Sequence, residues 1–294
     1  MFSLPTSLPG IVGWCGQMDY WGMLQTHSVT EVLRARIFDL EDMLQHVMQI
    51  EKKTGKQASI LYVMDLTGLK YNRRLYHLVV GPLRSLAEFM SVHYVELIKY
   101  FVLVNVPSFV YALWTAVRPL LPDRTRDKVR ILSSSDWRHE ILEYANAESL
   151  PDKWNSPDEN IFTSPIELPM PFDENNYCND NFKIPEGATK IRVAAGKFCY
   201  VIRELEAGER LSWWLTGDAD FGFGVFFTDD RNESDHTVME TIYPCFGWMP
   251  GPLIVPLQDS IIAEKKGFYK ILFTNTRAWW HTLTVTLAVH TDTA

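Results

Sequence analysis

Four cysteines in 294 residues, at positions 15, 178, 199 and 245, form no CxxC pair and have no histidine nearby at zinc-finger spacing. Neither a disulfide framework nor a structural metal is signalled, and a reducing compartment fits best. The chain also lacks a P-loop, a GxGxxG turn and a GxSxG nucleophile elbow; the glycines at 222 and 224 lie inside a strand-like run. Positive charge is short as well: 28 Lys and Arg against 36 Asp and Glu give a net charge of −8. Phosphate binding needs a basic surface, so nucleic acid is not expected as a partner. Residues 1–13 have no basic stretch and are interrupted by Pro5 and Pro9, unlike a secretory signal. A cytoplasmic protein, with at most peripheral contact to membranes, is expected.

What is present is ordinary globular composition, 47% hydrophobic and 22% charged, in a chain long enough for two domains. Residues 100–117 carry no formal charge and would register as a membrane span in a window scan. Asn105 and Pro107 argue against that. The valine-rich, aromatic start reads as a buried strand, and helical spacing begins at Ser108.

Ser28 and Glu31 stand at capping-box spacing before an apolar stripe at Leu33, Ile37, Leu40, Leu44 and Val47, with Gly55 beyond its end. A long amphipathic helix follows. The run SILYVMD at 59–65 reads as a strand buried on both faces, ended by Thr67-Gly68. Residues 73–94 have helical spacing interrupted by Pro82; strands are expected at 100–106 and 128–132, with a short helix at 137–145 between the last strand and the proline-rich stretch. Alternating strands and helices imply a largely parallel sheet. Residues 149–177 are rich in proline, asparagine and acids and read as a linker region. Beyond 183 only short alternating strands are visible, at 191–193, 199–203, 211–215, 221–227, 267–274 and 283–290, which suggests a β-sandwich or jelly roll.

Several chemical readings give way to plainer ones. Asp65 ends a strand before Thr67, but the second acid of a phosphatase-type site is missing two residues on, so a turn residue is expected. The run HEILE at 139–143 lacks the second histidine of a zinc helix. Asp229, Asp230, Glu233, Asp235 and His236 do not follow calcium-loop spacing and read as a solvated tip. The most informative stretch is 109–121. Phe109, Leu113, Val117 and Leu120 recur at helical spacing, and Val110, Trp114 and Leu121 widen the stripe; the segment is either a core helix or a lid over an apolar cavity.

The segments YVMDLTG at 62–68, FVLVNVP at 101–107, RPLL at 118–121 and KVRIL at 128–132, in that order and spacing, resemble the CRAL-TRIO lipid-transfer domain; GQMDYWGML at 16–24 and SLP at 149–151 resemble its opening turn and closing segment. The second half resembles a GOLD domain through GERLSW at 208–213, DFGFGVF at 220–226, and Gly267 to Asn275-Thr276 with Trp279 or Trp280 after it. This pairing is the arrangement of supernatant protein factor and the tocopherol-associated proteins. The resemblance implies a lipid-binding α/β domain with a mixed sheet over 1–155, a linker over 156–182 and a GOLD β-sandwich (jelly roll) over 183–294. Because the chain starts close to the Gly16 turn, it also implies a shortened N-terminus, without the family's helical bracket and edge strand.

By the same resemblance, Phe109, Val110, Leu113, Trp114, Val117, Leu120 and Leu121 form a gate lining the pocket, and Glu96, Thr125 and Lys128 meet an inositol phosphate headgroup. No cofactor and no metal are expected beyond a lipid cargo of the phosphatidylinositol, tocopherol or squalene class. The expected function is non-enzymatic lipid transfer or sensing, with transient membrane contact and a protein partner for the GOLD domain. The alternative is an adaptor with an empty pocket.

Overall fold

The computed structural model describes residues 10–72, 75, 86–87, 89–90, 93–94, 96–120, 123–178, 182–249 and 251–293. The chain divides into two compact units: residues 1–19, 36–75 and 90–171 form the first, and 20–35, 76–89 and 172–294 the second.

The first unit is built on a four-stranded sheet, β1 (Gly10–Gly13), β2 (Ile60–Asp65), β3 (Ile98–Val104) and β4 (Val129–Ile131), in the order β1-β2-β3-β4. Each neighbouring pair is parallel. The edge strand whose absence the resemblance implied is therefore formed: Gly10 to Gly13 pair with Leu61 to Met64. Its four residues, half of them glycine, carry too little strand signal to be read from sequence. Between β1 and β2 come α1 (Tyr20–Thr26) and α2 (Val29–Thr54). The start of α2 is a reciprocal capping box: Ser28 N–H donates to Glu31 Oε2 at 2.8 Å, and Glu31 N–H to Ser28 Oγ at 3.3 Å. Gly55, at φ 65°, follows its end in the left-handed conformation that glycine adopts without strain.

The uncharged run is split as expected. It forms β3 and then α3 (Ser108–Val117), with Asn105 at φ 52° between them. Among the described residues no helix is long and apolar enough to cross a membrane. A 3₁₀ turn (Arg118–Leu120) and α4 (Asp123–Arg126) lead to β4, and α5 (Trp137–Glu140) with a 3₁₀ turn (Ile141–Glu143) follows it. The proposed helical segment 73–94 lies almost wholly outside the described residues. The stretch read as a linker over 156–182 gives part of itself to this unit: Phe162 joins a core with Trp14, Leu61, Val63, Val102 and Trp154, and Ser164 bridges to Pro151.

Among the described residues the second unit holds eight strands: β5 (Thr189–Val193), β6 (Phe198–Leu205), β7 (Glu209–Gly217), β8 (Phe221–Thr228), β9 (Glu240–Met249), β10 (Leu257–Ile262), β11 (Gly267–Thr274) and β12 (Leu283–Thr293). They form two four-stranded sheets, β10-β7-β12-β5 and β6-β11-β8-β9, with every pairing antiparallel. The sheets meet through aromatic residues: Trp213 of β7 packs edge-on to Tyr243 of β9 at 5.1 Å, and its ring lies 6.0 Å from Phe223 of β8. Two of these strands, β9 and β10, carry no clear sequence signal, because Pro244 and Gly247 interrupt β9 and its register with β8 shifts repeatedly.

Candidate functional site

Sheet order decides where a ligand can sit in the first unit. Parallel neighbours taken in sequence order need a crossover between each pair, and right-handed crossovers as a rule run over one face of such a sheet. The chain after β4 covers the other face. There Leu61, Val63, Val102 and Val104 pack with Trp137, Ile141 and Trp154, and Val102 and Val104 are both 0% exposed. Alternation turns the intervening residues to the crossover face. In register across it stand Tyr62 beside Phe101, Met64 beside Leu103, and then Val129 and Ile131, all half-buried. The Tyr62 and Phe101 rings lie 5.8 Å apart. Burial raises the Tyr62 pKa above its ordinary value; Cys15 and Asp39 add to the rise, and Arg36 of α2 opposes it.

The two faces differ in side-chain type as well as in burial. Leu61, Val63, Val102 and Val104 face the closed core, whereas Tyr62, Met64, Phe101 and Leu103 face the crossover side together with Val129 and Ile131. Large, adaptable groups on a face left half-buried are what an apolar ligand needs. Sequence reading took SILYVMD as buried on both faces and so missed these residues. The alternation of bulky and β-branched types at 62–64 and 101–104 is the signal that could have found them.

The expected gate falls in α3, on the crossover between β3 and β4. Phe109, Val110 and Trp114 are half-buried, whereas Leu113 is 44% exposed and Tyr111 38%. Phe109, Val110, Leu113 and Trp114 share one side of the helix, and within it Leu113 is left exposed. Leu121 lies outside the described residues, as do the side chains of Val117 and Leu120. Two contacts tie the N-terminal half of α3 down: the Phe109 ring lies 5.7 Å from that of Tyr71, and Tyr111 Oη donates to Leu132 O at 3.1 Å. Its C-terminal end runs into the Arg118–Leu120 turn with Arg118 N–H bonded to Trp114 O.

Glu96 and Lys128 stand just before β3 and β4, at the same N-terminal edge of the sheet. Lys128 O accepts from Phe101 N at 2.9 Å, which puts Lys128 level with Tyr100. Glu96 lies in the turn that leads into β3, four residues before Tyr100. Glu96 is exposed and Lys128 half-buried; the Thr125 side chain lies outside the described residues.

At the opposite strand ends Asp65, 1% exposed, accepts from Thr67 N, Thr67 Oγ1 and Asn105 Nδ2 on Oδ1 and from Trp154 Nε1 on Oδ2. The expected turn role is borne out. Gly16 sits against this turn so closely that a Cβ would lie 2.1 Å from Thr67 O. Here glycine is required by the approach of backbone to backbone.

The first unit is thus a parallel sheet closed on one face by the chain after β4, and the second is built of two antiparallel sheets. Residues 9–155 match the family model of the CRAL/TRIO domain, and the chain belongs to that family, whose domains generally bind or transfer lipids. Residues 185–294 match a model described as F28H7_8_C:-like, C-terminal domain. Among curated proteins the chain is similar to the CRAL-TRIO domain-containing protein F28H7.8 of Caenorhabditis elegans, 24% identical over 92% of this chain and 65% of that protein. It is also similar to the CRAL-TRIO domain-containing protein T23G5.2 of the same organism, 29% identical over 47% of this chain and 19% of that protein. A third relative from C. elegans, Protein ctg-1, is 19% identical over 92% of this chain and 72% of its own length. The chain thus spans less than two thirds of the first two of these relatives.

Proposed function

We propose that the chain is a non-enzymatic carrier or sensor that holds one hydrophobic lipid against the crossover face of its parallel sheet. The observation that carries this reading is the difference between the two faces: valines at 0% exposure on one, and half-buried Tyr62, Met64, Phe101 and Leu103 on the other. A lipid tail laid there removes apolar surface from water at about 25 cal/mol per Å². In this reading α3 is the gate, with Phe109, Val110 and Trp114 turned to the tail. Glu96, Thr125 and Lys128 are the headgroup residues for a phosphatidylinositol-class lipid; a neutral lipid such as tocopherol or squalene would use the apolar face alone. The non-enzymatic reading is supported by Asp65, whose two carboxylate oxygens are already occupied by four donors.

In the same reading the binding domain spans 1–155, the linker 156–182 and the sandwich 183–294. The sandwich acts as a GOLD-type module for membrane or protein contacts, a role supported by its two antiparallel four-stranded sheets. Native mass spectrometry of the gently purified chain tests the proposal. A co-purified lipid is expected. A clean apo mass, persisting after incubation with phosphatidylinositol, tocopherol and squalene, overturns the carrier reading and leaves an adaptor.

A further inference from the structure

Tyr62 brings a hydroxyl to a face that is otherwise apolar. Its ring lies 5.8 Å from that of Phe101 on the crossover side of the sheet, and among the described residues no hydrogen bond reaches its Oη. A largely buried hydroxyl without a partner is costly, and such groups in folded proteins are rare enough to call for a reason. The neighbouring Phe101 shows that a plain phenyl ring is accepted on the same face, so packing alone does not call for tyrosine.

The hydroxyl ends beside a space that the edge strand keeps open. Gly13 of β1 pairs with Met64 and so stands on the same face. A Cβ at Gly13 would lie 3.4 Å from Cys15 Sγ and 3.5 Å from Tyr62 Oη, ordinary contacts that the fold could accept. Nor does the backbone require glycine there, because Gly13 is not among the glycines with positive φ. Gly16 is different, since at that position a Cβ would strike the Thr67 carbonyl. What glycine preserves at position 13 is room next to the phenol. The wall of that room is fixed: Cys15 N–H donates to Gly13 O at 2.9 Å, folding the thiol back over β1, and Gly16 N–H donates to Asp65 O at 2.9 Å, holding the turn on the end of β2.

The charges around the hydroxyl indicate what it can hold. Arg36 and Asp39 of α2 act on Tyr62 in opposite senses, and they are paired with each other, Arg36 Nη1 to Asp39 Oδ2 at 3.0 Å. A carboxylate or phosphate brought here would give up its hydration and meet a guanidinium already engaged by an acid. An uncharged hydroxyl makes no such demand, because phenol and alcohol can each donate to the other. Gly13 and Met64 lie toward the C-terminal ends of the strands, whereas Glu96 and Lys128 stand at the N-terminal edge, so this polar spot is separate from the headgroup residues.

We propose that Tyr62 Oη, in the room that Gly13 leaves beside Cys15, is the polar anchor for a lipid whose polar end is a single uncharged hydroxyl, of the sterol or chromanol kind. This rests on the carrier reading and names its cargo class, setting alcohols apart from a hydrocarbon such as squalene. The test measures binding of cholesterol and α-tocopherol to the full chain, each against the analogue that lacks the hydroxyl, by displacement of a fluorescent lipid. Wild type is expected to prefer the alcohol about two- to tenfold, the factor for one neutral hydrogen bond. Tyr62→Phe, which keeps the ring, should weaken the alcohol alone and erase the preference, and Gly13→Ala, which fills the space, should do the same.

Equal affinity of wild type for alcohol and analogue overturns the anchor, as does a preference that survives Tyr62→Phe. Equal loss of both probes in Tyr62→Phe shows that the ring only packs, and overturns it too. If Tyr62→Phe does not reproduce the wild-type circular dichroism, the wild-type preference and its loss in Gly13→Ala decide the matter. Mass spectrometry of co-purified lipid keeps the two readings apart. A chain that carries another lipid but shows no preference for the hydroxyl sinks the anchor alone, and a chain that holds no lipid by either measure sinks both.

Discussion

The indole Nε1 of Trp154 donates to Oδ2 of Asp65 at 2.7 Å, joining the end of the second strand to a segment 89 residues further along the chain. Asp65 Oδ1 meanwhile binds its own turn through Thr67 and the end of β3 through Asn105. One buried carboxylate thereby fixes the C-terminal ends of two strands and the segment that closes the core face beneath them. It also leaves the crossover face free of any structural demand from this group.

Trp154→Phe keeps the ring contacts with Trp14, Trp137 and Phe162 but deprives a buried carboxylate of one donor. A hydrogen bond to a charged group is worth about 1.5–3 kcal/mol, and that loss should appear in urea unfolding of the full chain. Asp65→Ala should cost more, because it leaves the indole N–H and the Asn105 amide facing a void. A Trp154→Phe variant as stable as wild type would show that the carboxylate is held by its turn alone.

Alkaline pH should weaken the first unit through Tyr94. Its hydroxyl donates to Glu41, and burial, followed by that hydrogen bond and the carboxylate charge, pushes its pKa from 10.0 up to about 12. The folded state therefore keeps the proton that the unfolded chain gives up near pH 10. This contribution is fully present below pH 10 and is lost as pH rises from there towards about 12. Tyr94→Phe removes the titrating group, so its denaturation midpoint should fall less steeply over that window than that of wild type. Parallel curves would show that Tyr94 titrates alike in both states.

Local signals were legible in the sequence and long-range ones were not. The capping box at Ser28 and Glu31, the glycine stop at Gly55 and the strand-to-helix change at Asn105 to Ser108 all depend on residues within a few positions of one another, and each forms as expected. The edge strand β1 and the pair β9 and β10 were hidden because short, glycine-interrupted or proline-interrupted strands are specified by their partners. Faces posed a harder problem. A continuous apolar run looks the same whether one side is closed or both are, and only register and crossover direction separate Val63 from Met64. The rotation of α3 is a tertiary property too: its stripe was legible, but not that Leu113 within it is left 44% exposed.

That rotation makes the gate testable by position. Val110→Asp and Trp114→Asp place a charge on the half-buried side of α3, where desolvation of a carboxylate is costly, and should abolish uptake of a fluorescent lipid. Thr115→Asp, on the exposed opposite side, should leave uptake within about twofold of wild type, as exposed substitutions generally do. If all three variants lose uptake while retaining wild-type circular dichroism, the helix moves as a whole and its outward side enters the site. If none does, α3 is not the gate.

The headgroup residues can be separated from the tail site by comparing two cargoes. Lys128 stands half-buried at the entry of β4, level with Tyr100, and its main chain is already committed to the sheet through the bond from Phe101 N. A side-chain truncation there leaves that backbone bond in place, so Lys128→Ala should preserve the register of β3 and β4. An ammonium at this edge can neutralise a phosphodiester, and the exposed carboxylate of Glu96, in the turn before β3, can accept from inositol hydroxyls. Lys128→Ala is therefore expected to cost about 1.5–3 kcal/mol of phosphatidylinositol affinity, the range for a hydrogen bond to a charged group. Tocopherol presents no phosphate, and its uptake should be unchanged in the same variant. Glu96→Gln keeps an acceptor oxygen but removes the charge, and should weaken phosphatidylinositol less than Lys128→Ala does. Equal loss of both lipids would show that Lys128 supports the fold, whereas retention of both would place the phosphate elsewhere on the first unit.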